Sequence, residues 1–124
     1  MLPPPSTDAI HRLETQANIW FGSVRPDGRP HLAPVWFVWH SGRIYIGTDP
    51  KSVKIGNIRN NPRVVLALED GIHPLICEGT ARSLPGALPD DLLAAFQRKY
   101  DWDLNSEQQY NQVVEVTPLK WLSW

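Results

Sequence analysis

A turn reading Arg25-Pro26-Asp27-Gly28 limits the fold of this chain more than any other feature. Proline presets one backbone dihedral, and glycine supplies the positive φ that closes a hairpin. The flanking segments must then be antiparallel neighbours. Upstream, Ala17 to Val24 alternates as a strand does, with Ile19 and Phe21 on one face and Trp20 and Val24 on the other. Downstream, His31 to Trp39 is apolar on both faces, so both faces are expected to be covered. Pro34 removes one ladder donor there. It marks an edge, a bulge or a place where backbone faces a ligand.

The same punctuation recurs. His40-Ser41-Gly42 is a second tight turn, leading into a third strand from Arg43 to Thr48. Arg63 to Glu69 reads as a fourth strand, Asp70-Gly71 as a turn, and Leu75 to Leu84 as a fifth strand. Gly79 in that strand marks a bulge or a close approach. Gln112 to Thr117 is the sixth strand, and PLKWLSW closes the chain. Helical patterns are sparser. Ser6 or Thr7 can cap a helix reaching about Gln16, and Asp90 to Tyr100 carries Leu92, Leu93, Phe96 and Tyr100 at helical spacing. Residues 101–111 are polar and poorly patterned, and residues 1–5, with three successive prolines, read as a disordered end. Six strands, short turns and two or three helices give a mainly β fold. The expected architecture is one domain over 1–124, a small antiparallel barrel with helices plugging its ends.

Composition narrows the function classes. A formal net charge of −1 argues against a broad nucleic-acid or membrane surface. The single cysteine, Cys77, excludes an internal disulfide and a cysteine-rich zinc site, and reads as a buried inert thiol. His11, His31, His40 and His73 show no metal spacing and read as turn or surface residues, so no metal is expected. No apolar run is long enough to span a bilayer, and MLPPPSTDAIHRLE lacks the basic start and apolar stretch of a secretion signal. A cytoplasmic location is the expectation. Six tryptophans suit a barrel core, a subunit interface or a flat aromatic ligand.

The stretch TDPKSVKIGNIRNNPR, from Thr48 to Arg63, carries the chemistry. Asp49 suits an N-cap and Pro50 the first helical position, so a helix is expected to start there and stop before Pro62. The first turn of a helix has unpartnered N–H groups and a dipole that favours negative charge. Lys51, Ser52 and Lys54 at that end make a seat for a phosphate. Arg59 and Arg63 read as surface or interface charges.

The ordered series PDGRPH, PVWF, T-x-x-x-S-x-K, N-x-R-x-N-P-R and EGTA resembles the pyridoxamine 5′-phosphate oxidase-like flavoproteins, the FMN-binding split barrel superfamily. The likeness is close over residues 17–84 and looser in the terminal VVEVTPLKW. It implies a six-stranded antiparallel split β-barrel and a homodimer that holds FMN, or a deazaflavin coenzyme, in grooves between subunits. It implies that Thr48, Ser52 and Lys54 hold the cofactor phosphate and that Asn57 lies near the same ligand. Pro34, Val35 and Trp36 would lie along the ring system. The archetypal oxidase has an arginine between the serine and the lysine. Here Val53 stands there, and Lys51 is the compensating cation.

That oxidase also recognises vitamin B6 phosphate through a C-terminal arginine and histidine. PLKWLSW has no histidine, so vitamin B6 oxidation is not expected. The resemblance implies instead a flavin-dependent oxidoreductase acting on a small molecule, with catalytic side chains unassigned. The alternatives are a deazaflavin-dependent reductase of the same fold and a flavin-binding module without turnover. Trp36 is the expected ring contact, and Trp121 and Trp124 are expected at the interface.

Overall fold

The structure, a computed structural model, describes residues 5–124. The expectation of a disordered end falls, for residues 1–4, outside the described residues. The elements run α1 (Thr7–Thr15), β1 (Asn18–Val24), β2 (Pro30–His40), β3 (Arg43–Thr48), α2 (Val53–Asn60), β4 (Arg63–Ala67), β5 (Leu75–Ser83), α3 (Asp90–Tyr100) and β6 (Gln112–Ser123). The six strands close an antiparallel barrel in the order β1-β2-β3-β6-β5-β4.

The first hairpin forms as its turn dictates. Gly28 sits at φ 90°, and its N–H donates to the Arg25 carbonyl at 2.9 Å. The ladder then runs from Val24 opposite Pro30 to Asn18 opposite Trp36. Between β5 and β6 the register slips at Glu78/Gly79. A side chain at Gly79 would place its Cβ 2.6 Å from the Thr117 carbonyl oxygen, so only glycine fits.

That slip explains why β6 outlasts its expected end at Thr117. Pro118 stands opposite Gly79 at the irregularity, and pairing resumes through Cys77 opposite Trp121 to Leu75 opposite Ser123. The terminal PLKWLSW is therefore mostly strand. β4 is shorter than expected, because the chain turns after Ala67 and Leu68 already bonds back to Leu75.

Two apolar clusters form. The barrel interior holds Ile19, Phe21, Phe37, Ile44, Ile46, Leu66, Cys77 and Val116, joined by Leu13 of α1 and Ile55 and Ile58 of α2. Burial pushes the Cys77 thiol up to about 12, so it is an inert core group. The second cluster unites Leu92 and Phe96 of α3 with Val38 and Tyr45 on the outer side of β2 and β3. So α1 and α2 cover the interior, whereas α3 lies on the wall and plugs no end. Only the C-terminal part of β2 is covered by it. Leu32, Pro34 and Trp36 remain exposed on the outer face, which corrects the expectation of a strand buried on both sides.

Candidate functional site

The wall of the barrel parts beside β2. This strand pairs with β1 through Pro30–Trp36 but joins β3 only from Phe37 to His40. Its β3-facing edge is thus unpaired from residue 30 to residue 36. Antiparallel strands present backbone groups alternately to each neighbour. Phe37 turns its N–H and carbonyl to the β1 side, where both meet the Tyr100 hydroxyl, so Trp36 and Pro34 turn theirs to the open edge. Pro34 has only a carbonyl to present. This is where a proline does least damage to a sheet.

A groove of about 570 Å³ follows this edge. It is lined by Pro34, Val35 and Trp36 of β2, Gly47 and Thr48 of β3, Lys54 of α2, and Tyr100, Asp101, Trp102, Glu107 and Tyr110. Its size suits a cofactor-sized ligand. The fold thus unites the expected ring-edge residues with Thr48 and Lys54. Ser52 adjoins them, since the Thr48 hydroxyl lies 3.3 Å from the Ser52 hydroxyl.

The helix begins later than expected. Asp49 does not cap it. Its carboxylate accepts the Lys51 N–H at 2.8 Å, and its carbonyl accepts the Ser52 N–H, closing a turn. Ser52 is the N-cap of α2, and its side chain makes no capping bond. Asp49 and Pro50 are consumed by the turn because an Asx contact two residues on competes with helical capping.

Lys54 is the distinctive charge of the groove. It is half-buried, and among the described residues it forms no salt bridge or side-chain hydrogen bond. Burial pulls its pKa below the ordinary lysine range, opposed by the nearby Asp49 carboxylate. A partly desolvated cation without an ion pair is costly, and an anion beside it relieves that cost. Lys51 is exposed and Val53, in place of the archetypal arginine, is 49 % exposed.

Asn57 is not in the groove. It is buried, and its side-chain N–H donates to the Ser23 hydroxyl at 3.0 Å, joining α2 to β1. The helix presents Lys54 and Asn57 to different surroundings, and a buried amide requires a partner. His31 was expected at the surface. Its Nδ1 is buried without a hydrogen-bond partner, and its pKa is lowered by burial, then by Arg25 and Lys54.

The remaining wall comes from residues that the sequence left unassigned. Tyr100 ends α3 and stacks on Trp36, with centroids 4.5 Å apart and planes 5° from parallel. Its hydroxyl accepts the Phe37 N–H at 3.0 Å and shares one proton between the Ala17 carbonyl at 2.7 Å and the Phe37 carbonyl at 3.0 Å. Burial raises its pKa to about 12. Lys99 also reaches the Phe37 carbonyl, at 2.9 Å, and the Leu13 carbonyl, at 3.2 Å.

Trp102 lies edge-on to Trp36 at 5.8 Å and closes over Gly47. A Cβ at Gly47 would stand 2.5 Å from the indole, so glycine admits the ring. The indole N–H donates to Glu107 at 3.0 Å, and the same carboxylate accepts the backbone N–H groups of Gln109 and Tyr110. These bonds, the Gln109 one first, hold Glu107 below the usual carboxylate range. Tyr100 had read simply as a helical apolar position. Only the glutamate two residues before Gln109 hinted that 101–111 builds a folded loop.

The other aromatics divide as alternation requires. Trp39 packs on the core and meets Trp121 edge-to-face at 5.8 Å, while Trp124 is 76 % exposed. No cluster of metal-binding side chains occurs among the described residues, and no helix among them is long and apolar enough to cross a membrane.

Solved structures share this architecture at low identity. The conserved hypothetical protein Rv2991 from Mycobacterium tuberculosis superposes with a TM-score of 0.79 at 23 % identity, over 99 % of this chain and 86 % of its own. An F420 reductase gives 0.71 at 22 % identity, over 97 % and 98 %. HutZ, the heme storage protein from Vibrio cholerae, gives 0.79 at 15 % identity, over 94 % and 93 %. A search of curated proteins found no match to the sequence. The pyridoxamine 5′-phosphate oxidase family model matches residues 6–124. The chain is a member of the pyridoxamine 5′-phosphate oxidase family, built as its split barrel.

Proposed function

We propose that this protein is a flavin-dependent oxidoreductase that binds FMN along the open edge of β2 and moves hydride to or from a small molecule. One observation carries the reading: the half-buried, unpaired Lys54 stands in a groove walled by a flat indole. The donor set suits the phosphate and ring of FMN. Lys54, the hydroxyls of Thr48 and Ser52 and the uncapped first turn of α2 would take the phosphate. Exposed Lys51 adds positive potential. Backbone groups of Pro34 and Trp36 would meet the polar edge of the ring, with Val35 beneath. Asn57 would act indirectly, by fixing α2 to β1 through Ser23.

Bound flavin would supply the hydride chemistry, and the protein would supply position and electrostatics. A deazaflavin coenzyme shares the phosphate but extends it with further acidic groups. Asp49 beside Lys54, with Asp101 and Glu107 in the groove, disfavours that extension and favours FMN.

A homodimer completes the reading. Trp20, Leu32, Val65 and Leu119 are exposed together on the outer wall, around a hollow of about 590 Å³ that Leu32, Val65 and Leu119 line. Apolar exposure of that kind marks an interaction surface.

The test is direct. The purified protein should bind FMN with a yellow absorption spectrum and run as a dimer, and NADH or NADPH should bleach the bound flavin. Bound flavin that resists reduction would favour the binding module. Refusal of both FMN and deazaflavin would end the proposal.

A further inference from the structure

One side chain spans the point where the barrel wall splits. β2 and β3 pair from His40 opposite Arg43 to Phe37 opposite Ile46, and they part beyond that pair. Trp36 and Gly47 are therefore the first positions on the two lips of the split. Trp102 touches both. Its six-membered ring lies on Gly47, where a Cβ would stand 2.5 Å from Cη2 and 3.0 Å from Cζ3. Its centroid is 5.8 Å from that of Trp36, with the planes 82° apart. All three residues line the groove. The indole also meets Phe96 edge-on at 5.6 Å, and Leu104, two residues on, is buried in the same cluster. The loop after α3 is thus rooted on the outer wall and reaches in over the split.

Glu107 fixes the orientation of that indole. One carboxylate oxygen accepts the indole N–H at 3.0 Å, and the other accepts the N–H groups of Gln109 and Tyr110 at 3.0 and 3.1 Å. A carboxylate engaged by three donors of its own loop is a clamp. The turn beside Lys54 has its own support. Asp49 accepts the Lys51 N–H at 2.8 Å, whereas the Gln109 amide reaches Asp49 only at 3.4 Å.

We propose that Trp102 is a ring-contact residue of the cofactor groove, closing the split where β2 and β3 part, and that Glu107 is its positioning residue. The inference rests on the flavin reading for the identity of the ring. A flat ligand set against either Trp36 or Trp102 meets the other edge-to-face, an arrangement that aromatic rings favour. Trp102 therefore acts on the ring and Lys54 on the phosphate. Glu107 acts on the ligand only through the indole.

The test divides the ligand into parts: FMN, riboflavin, which lacks the phosphate, and ribitol 5-phosphate, which lacks the ring. Binding is measured by calorimetry, with the fold of each variant checked by melting. Trp102→Leu keeps an apolar contact for Phe96 and loses the flat face. It should weaken FMN and riboflavin alike, by roughly two- to twelvefold, and leave ribitol 5-phosphate unchanged. Lys54→Ala is the opposite control, weakening FMN and ribitol 5-phosphate but not riboflavin. Glu107→Gln turns one accepting oxygen into an NH₂ group that faces N–H donors. It should weaken both ring ligands and speed hydrogen exchange of the Trp102 indole N–H in the ligand-free protein. Combined with Trp102→Leu it should add nothing, because its effect passes through the indole.

Unchanged FMN affinity in folded Trp102→Leu and in Glu107→Gln would overturn the inference. So would an equal loss of ribitol 5-phosphate binding in Trp102→Leu, which marks a displaced groove and not a lost ring contact. If Trp102→Leu does not fold, Glu107→Gln alone decides. FMN bound by the wild type and unaffected in the variants removes this inference alone, whereas refusal of FMN by the wild type removes the flavin reading and the ring contact with it.

Discussion

Lys54→Ala separates a ligand contact from a structural one. In the wild-type protein the ammonium is half-buried, its pKa is lowered by burial, and no ion pair compensates it. Truncation leaves no buried partner unsatisfied, because no described residue bonds to it. Stability without ligand should hold within about 0.5 kcal/mol, as for substitutions outside a packed network. Ligand affinity should fall. A hydrogen bond to a charged group contributes about 1.5–3 kcal/mol, so loss of the phosphate contact should weaken FMN roughly 10- to 150-fold. The assay is FMN titration by flavin fluorescence, with melting followed with and without FMN. At an FMN concentration ~100 times the wild-type Kd the wild type should gain about 2.7 kcal/mol, and the variant about 0.3–1.4 kcal/mol. Unchanged FMN affinity with an intact fold would refute the placement of the phosphate seat. A large loss of ligand-free stability would refute the claim that Lys54 is unpartnered.

Tyr100→Phe removes a hydroxyl that serves two carbonyls and one N–H, and should cost about 1–3 kcal/mol, seen as a melting point roughly 4–12 °C lower. Gly47→Ala should drive the Trp102 indole out of its contact, shifting tryptophan emission to the red and changing FMN affinity with the barrel still folded. Cys77 should ignore thiol reagents at pH 8 until the protein unfolds. Its folded pKa of about 12 lies above the ordinary 9.0, so its contribution to stability is full below pH 9 and is lost as pH rises through about 12. Tyr45 and Tyr100, both raised to about 12, act in the same direction above pH 10. Lys99, lowered to about 8 by burial, acts oppositely, adding stability as pH rises from 8 towards 10.5. Phenolate absorption of Tyr45 and Tyr100 should therefore appear together with loss of circular dichroism, and ionisation of both well below that transition would contradict their burial.

Legibility in this chain followed range. The Arg25–Gly28 turn and the alternation of Ile19 and Phe21 against Trp20 are local, and local sterics determine them wherever the chain goes. They were enough for six strands and a barrel. Lys51, Ser52 and Lys54 were legible as close neighbours, because their spacing alone gathers them at one helix start. The start itself was misplaced by the Asp49 turn, since capping and Asx geometry compete for the same side chain. Asn57 falls outside the groove lining because the helix angle that carries Lys54 to the groove turns Asn57 inward to Ser23. The aromatic wall was invisible. Trp36 meets Tyr100 and Trp102 across more than sixty residues of chain, and nothing in a polar stretch such as 101–111 announces which strand it will cover. Sequence by itself determined the barrel and the cation beside the groove. Tertiary structure decided that β2 and β3 pair only from Phe37 onward, that Gly47 admits an indole, and that Asp101 and Glu107 join the groove lining. Pairing register and side-chain packing are long-range properties, fixed only when the whole barrel closes.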